Sequence, residues 1–193
     1  MRRFLLISGI FLLLFGCASS PKYRWRFAMQ EPKPSESMAF SDDYIDALFI
    51  IREIPGTIML KPRLELGFEV QNKTDSGIKI NWDELSMIYP DGKSFRVIHS
   101  GTRLVDKNSP QAPTTIPPNA KISDILTPSE NISYVSEGGI LPSGWYYSTL
   151  FGGDNKLVWD GKEFSIYFPM EIKGAKREYN FKFKINVSQI KKQ

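Results

Sequence analysis

From residue 44 onward, the apolar positions of the chain recur every second residue. Leu64, Leu66, Phe68 and Val70 alternate with Arg63, Glu65, Gly67, Glu69 and Gln71, so a strand over this stretch buries one face and wets the other. Ile78, Ile80 and Trp82 alternate with Lys79 and Asn81. Tyr179, Phe181, Phe183, Ile185 and Val187 do so with Asn180, Lys182, Lys184 and Asn186. Both patterns predict strands. Pro90-Asp91-Gly92-Lys93 separates residues 85–89 from 94–99 and has hairpin chemistry, because Gly92 can take the positive φ that a tight turn requires. Asp160-Gly161, between 157–159 and 163–168, predicts a second hairpin on the same ground. Shorter strands are expected at 45–54, 121–126 and 132–135. No stretch of ten or more residues beyond the first sixteen has apolar groups at helical spacing, and Pro and Gly interrupt those that come near.

Eight or nine short strands, each with one wet face, predict an all-β fold: a single antiparallel β-sandwich, since parallel sheets read as continuous apolar runs instead. The architecture resembles the immunoglobulin-like sandwich, without the cysteine pair that marks antibody domains. A partly open barrel gives the same alternation. No repeat of fixed period is visible. The chain divides into a leader at 1–16, a tether at 17–43 and the β domain at 44–193.

The leader is Met1-Arg2-Arg3 followed by an apolar run from Phe4 to Phe15, closed by Gly16 and by Cys17, the sole cysteine. A basic start, a short apolar run and a small residue before the cut form the layout of a secretory signal peptide. The run is shorter than the roughly 20 residues a membrane-spanning helix needs. Leu14, Gly16 and Cys17 match the lipobox, and the segment resembles a bacterial lipoprotein signal; Phe15 stands where that pattern usually has a smaller or branched residue. The resemblance covers about the first twenty residues. It implies that Cys17 carries lipid on its sulfur and becomes the mature N-terminus, anchoring the protein in the cell envelope. It also implies the outer membrane if the cell has two, because Ala18 and Ser19 are not the aspartate that retains a lipoprotein inside. A thiolate is nucleophilic enough to accept diacylglycerol, and two chains meet the requirement for stable anchoring.

The segment 17–43 carries prolines and small polar residues, which favour an extended spacer. Within it, Tyr23-Arg24-Trp25-Arg26-Phe27 admits two readings: a patch lying against lipid headgroups, or an edge strand of the domain.

The formal charge is +4. Removing residues 1–16 takes Arg2 and Arg3 from the 25 basic residues, which leaves 23 against 21 acidic ones and a charge of +2. With no block of like charge, nucleic acid is discounted as a partner. With Cys17 acylated no thiol remains for a disulfide, so about 150 residues must be held by their apolar core, which is enough.

Catalytic motifs are missing. His99, the one histidine, lacks a local nucleophile and orienting partner and reads as structural. The chain has no Gly-x-Ser-x-Gly, His-Glu-x-x-His or phosphate-binding glycine loop. Asp42, Asp43 and Asp46, and likewise Asp83 and Glu84, are close enough in sequence to raise a glycan hydrolase with paired carboxylates as the alternative. The same acids lack the spacing of an EF-hand loop, so no metal and no cofactor is expected. The Asn-x-Ser/Thr triplets at Asn72, Asn131 and Asn186 read as chance. The segment 138–153 combines flanking glycines with Trp145, Tyr146 and Tyr147 as contacts for a protein or cell-wall glycan partner; in the competing reading Trp145 and Phe151 cover the end of the core. The Pro-rich stretch 101–118 is long for a connection and admits two readings, a functional loop or an extended crossing between sheets. The sequence thus predicts a lipid-anchored, non-enzymatic binding or structural module, or an accessory to assembly of an envelope complex.

Overall fold

Backbone pairing organises more than half of the chain that the computed structural model describes, residues 22–136 and 141–190. Cys17, the leader before it and Gly138-Gly139-Ile140 lie outside those residues. The strands are β1 (Lys22–Glu31), β2 (Ala39–Ser41), β3 (Ile45–Ile54), β4 (Arg63–Asn72), β5 (Ile78–Ile80), β6 (Ser86–Ile88), β7 (Ser94–His99), β8 (Thr114–Ile116), β9 (Lys121–Pro128), β10 (Ile132–Val135), β11 (Gly144–Tyr147), β12 (Glu163–Ile172) and β13 (Ala175–Ile190). Between them, the helical segments among the described residues are short 3-10 turns, one of them Lys156–Trp159. The fold is all-β and antiparallel.

Eleven strands form one sheet in the order β1-β13-β12-β6-β7-β9-β4-β3-β2, with β5 on β12 and β8 on β5. β7 makes this a single sheet. Its first half pairs with β6 (Ser94 with Ile88, Arg96 with Ser86), and its second half with β9 (Val97 with Pro128, His99 with Leu126). The sheet therefore turns a corner within one strand, and β3–β4 come to face β12–β13. Phe49 lies 4.7 Å from Phe181 and 5.1 Å from Phe183, and Phe68 lies 5.3 Å from Phe168, ring centre to centre. These rings fill the space that the alternating pattern reserves for the core: inward residues of β4 and β13 are buried while their neighbours meet solvent.

The two ends of the sheet nearly meet. Met29 and Ser35 exchange backbone hydrogen bonds at 2.9 and 3.0 Å, and Phe49 N donates to Met38 O at 3.0 Å. Residues 32–38 thus bridge β1 to β2, giving a nearly closed barrel in place of the two separate sheets expected from the sequence. Alternation specifies which face is buried, and both architectures satisfy it.

Two expectations are corrected. Residues 22–31 belong to the folded unit, because they are strand and not tether: β1 runs along β13 from Lys22 opposite Ile190 to Phe27 opposite Ile185 and beyond. Trp25, Phe27 and Met29 turn inward while Lys22, Arg24 and Arg26 are exposed. Trp25 stacks on Phe27 at 6.1 Å, and both approach Phe151. Residues 157–159 are not a strand. Asn155 caps the turn Lys156–Trp159 by accepting from Leu157 N, and Trp159 folds back onto Phe151 at 5.4 Å, its Nε1 donating to Gly152 O at 2.8 Å. Gly161 keeps its expected positive φ of 72°, serving a turn that leads into β12. The hairpin at Gly92 forms as the sequence predicts, with φ 83° and Tyr89 N donating to Lys93 O at 2.8 Å.

Candidate functional site

β10 and β11 form a small antiparallel ribbon outside the large sheet, pairing Ile132 with Tyr147, Ser133 with Tyr146 and Tyr134 with Trp145. Ile132 is buried and anchors the ribbon. Lys107 Nζ donates to Ile132 O at 2.5 Å and to Ser129 O at 3.1 Å, and Asn131 Nδ2 donates to Thr149 O at 2.8 Å. Thr149 Oγ1 in turn accepts from Leu64 N of β4 at 3.0 Å. A two-stranded ribbon is marginal by itself; these polar ties fix this one to the barrel.

The three aromatics of β11 have different surroundings. Trp145 is half-buried and meets Tyr134 edge-to-face at 5.3 Å. Tyr146 is half-buried and donates its hydroxyl to Pro142 O at 2.7 Å. Tyr147 is 42% exposed, with the Arg63 guanidinium 5.3 Å from its ring centre. The true core element of this segment is Phe151, fully buried at the barrel end.

Beside Tyr147, a cleft of about 140 Å³ opens between the ribbon and strands β4, β7 and β9, its polar wall formed by Arg63, Glu65, His99, Ser100 and Thr102. His99, expected to be structural, is held from every side. Its ring stacks on Trp82 at 4.3 Å and 11°, and Nδ1 lies 3.1 Å from Asp124 Oδ2. A Cβ on Gly101 would fall 2.5 Å from His99 Cε1, so this approach requires glycine. Asp124 Oδ1 accepts from Ser100 Oγ at 2.5 Å, Ser100 N at 2.9 Å and Ile125 N at 2.7 Å. Burial pushes the Asp124 carboxyl up, and hydrogen bonds from Ser100, Ile125 and His99 outweigh it, holding the group below its ordinary value. Beneath the strand, buried Gln111 accepts from His99 N at 3.2 Å and Thr102 Oγ1 at 2.9 Å and donates to Val97 O at 2.8 Å.

This network does not have the layout of a nucleophile relay. Ser100 donates to the aspartate, not to the imidazole, so the hydroxyl is not activated by a base. Of the acidic residues singled out in the sequence, Asp42, Asp46, Asp83 and Glu84 are occupied elsewhere. Asp42 accepts from Tyr44 N, Ile45 N and the Tyr179 hydroxyl; Asp46 accepts from Ser41, Asp83 pairs with Arg96 at 2.6 Å, and Glu84 pairs with Lys176 at 2.7 Å. The shifts resolved for Asp46, Asp83 and Glu84 are all downward, opposite to what a general acid needs. Among the described residues, no group of three or more His, Cys, Asp or Glu is placed to hold a metal ion.

A larger cleft, about 300 Å³, lies on the outside of β5 and β12. Its charges satisfy one another, Lys176 with Glu84 and Lys79 with Glu171 at 3.9 Å, and no aromatic ring lines it. The smaller cleft, with an open ring and a fixed polar wall, is the candidate site. The sequence pointed to Tyr147 and read His99 as structural; Arg63, Glu65, Asp124 and Gln111 join them only through pairing between strands distant in the chain.

Comparison with known proteins assigns no family. No family model and no curated protein matches the chain. Among solved structures, the yjhA protein from Bacillus subtilis is similar with a TM-score of 0.36 and 11% identity, over 67% of this chain and 77% of that one. A likeness of that size identifies neither fold family nor function.

Proposed function

We propose that this protein is a lipid-anchored lipoprotein of a bacterial cell envelope and works as a non-enzymatic binding module, with Cys17 as its membrane attachment and the β11 ribbon and adjoining cleft as its binding surface. In a cell with two membranes the anchor lies in the outer one. The observation that carries the binding role is Tyr147, a 42% exposed ring with the Arg63 guanidinium over one face, beside a polar wall that includes Glu65 and His99. Concave sites with a few fixed polar groups bind small ligand units, and Tyr offers large contact area at low entropic cost. A ring face beside a guanidinium, a carboxylate and an imidazole suits a sugar better than an apolar side chain. Cell-wall glycan is therefore the ligand class. The finer reading of the fold as an immunoglobulin-like sandwich draws support from the facing layers β3–β4 and β12–β13; the corner strand β7 is where it departs from that architecture.

The test has two arms. Palmitate labelling of wild type against Cys17→Ser, with mass spectrometry of the mature N-terminus, checks the anchor; an unmodified Cys17 thiol refutes it. Sedimentation with purified cell-wall sacculi checks the ligand. Tyr147→Ala and Arg63→Ala should each weaken binding about tenfold while leaving the melting temperature nearly unchanged, as expected for a loss of about 1.4 kcal/mol at a contact. Undiminished sedimentation of both variants refutes the site. Capture of an envelope protein by wild type but not Tyr147→Ala would keep the site and replace the ligand.

A further inference from the structure

The strand register gathers one set of loops at one end of the barrel. Ile54 pairs with Arg63, His99 with Leu126, Ile88 with Ser94, Glu163 with Lys184 and Lys22 with Ile190. Followed strand to strand, these pairs put the β3–β4 tip, the Gly92 turn, the turn Lys156–Trp159 and both Lys22 and Ile190 on the same side. Lys61 Nζ, 3.8 Å from Asp154, joins two of these loops directly.

That end is apolar at its tips. Ile58 is fully exposed, Met59 56% and Leu60 39%, and Leu157, Val158 and Ile190 are also exposed. The Ile-Met-Leu run is held out by a built turn: Thr57 N donates to Leu60 O at 2.8 Å, and Thr57 Oγ1 accepts from Met59 N at 3.3 Å and Leu60 N at 3.1 Å. A Cβ on Gly56 would lie 2.4 Å from Leu60 O, so the backbone closes there only around glycine. The opposite end carries Asp42, Asp43, Lys73, Asp75 and Lys173 and none of the exposed large apolar groups named above. Contiguous exposed apolar tips on a soluble domain mark an interaction surface.

We infer that this end rests on the lipid bilayer, with Ile58, Met59 and Leu60 inserted at headgroup depth. Where the chain leaves the barrel decides the occupant. Lys22 is five residues after Cys17, a distance that an extended chain spans in at most about 17 Å. On the reading that Cys17 carries lipid, the anchor draws this end, and not the polar one, onto the membrane. Asp91, Asp154, Asp160 and Glu163 sit among Lys22, Lys61, Lys93, Lys156 and Lys162 there, a nearly balanced set, so apolar insertion supplies most of the contact.

The experiment places an environment-sensitive dye at Ile58→Cys and, at the polar end, at Asp75→Cys. Both positions are exposed. The lipidated chain is reconstituted on vesicles of phosphatidylethanolamine and phosphatidylglycerol containing brominated lipid. The dye at 58 should shift to the blue, be quenched by bromine and resist aqueous iodide, while the dye at 75 shows the reverse. Equal iodide access at both positions overturns the inference. Protection of position 58 in vesicle-free detergent that grows with protein concentration overturns it in favour of a second copy of the chain. Should mass spectrometry find no lipid on Cys17, the anchor reading fails separately. The same dyes in the Cys17→Ser background with added vesicles then decide whether the tip enters a bilayer.

Discussion

Phe27→Ala discriminates between β1 as part of the barrel and β1 as a strand laid on a membrane. The ring is 9% exposed. It stacks between Trp25 and Phe151, each about 6.1 Å away, and meets Phe164 edge-on at 6.4 Å. Truncating a buried Phe costs about 3 to 5 kcal/mol, and the lower value applies where neighbours can collapse into the space, as on an edge strand. A loss of about 3 kcal/mol lowers the melting temperature of a chain this size by about 6 to 12 °C. Arg26→Ala, one residue away on the exposed face opposite Asn186, should change stability by less than about 0.5 kcal/mol. Urea melts of the two variants beside wild type give the comparison at constant slope. If Phe27→Ala is as silent as Arg26→Ala, residues 22–31 are not packed in the barrel, and the sheet must lose its first strand.

Phe181→Ala removes a fully buried ring that touches Phe49 and Phe40 and should cost about 3 to 5 kcal/mol. Lys182→Ala, which only opens a surface pair with Glu31, should cost no more than about 1 kcal/mol; similar losses in both would misplace the inward face of β13. Asp124, whose carboxyl is held below its ordinary value of 3.8, stabilises the fold above that value and loses this contribution as pH falls through the lower folded value. The urea midpoint of wild type should therefore drop more steeply on acidification below about pH 4 than that of Asp124→Asn; parallel curves would remove the carboxylate from the His99 network.

Legibility in the sequence followed the distance over which each interaction acts. The strands over Leu64 to Val70 and Tyr179 to Val187 were readable because burial on one face imposes a period of two on local sequence, and the Gly92 turn because positive φ selects glycine. β1 has the same alternation, but its outward Lys22, Arg24 and Arg26 and the prolines after it also fit a spacer. Only the ring of Phe151, more than a hundred residues away, reveals which reading holds. Trp159 looked like a strand residue until its indole found Gly152 O. The corner in β7 left no local trace, since a strand that changes partner halfway keeps its alternation throughout. Tyr147 and His99 were visible as residue types, but the cleft they share with Arg63 and Glu65 exists only after strands distant in the chain have paired.

The near-closure of the sheet governs how copies of this protein meet one another. Residues 32–38 join β1 to β2 around Met29 and Ser35, while Lys22 to Ala28 keep an unpaired edge opposite β13, and the exposed face of this edge strand carries Lys22, Arg24 and Arg26 in a row. An unguarded rim recruits strands from other chains, and a line of cations repels them. On the proposed lipid anchor, copies confined to a plane would collide in a common upright orientation, so edge would meet edge far more often than in free solution. Like charge along that strand would then turn such encounters away and keep a crowded surface layer dispersed.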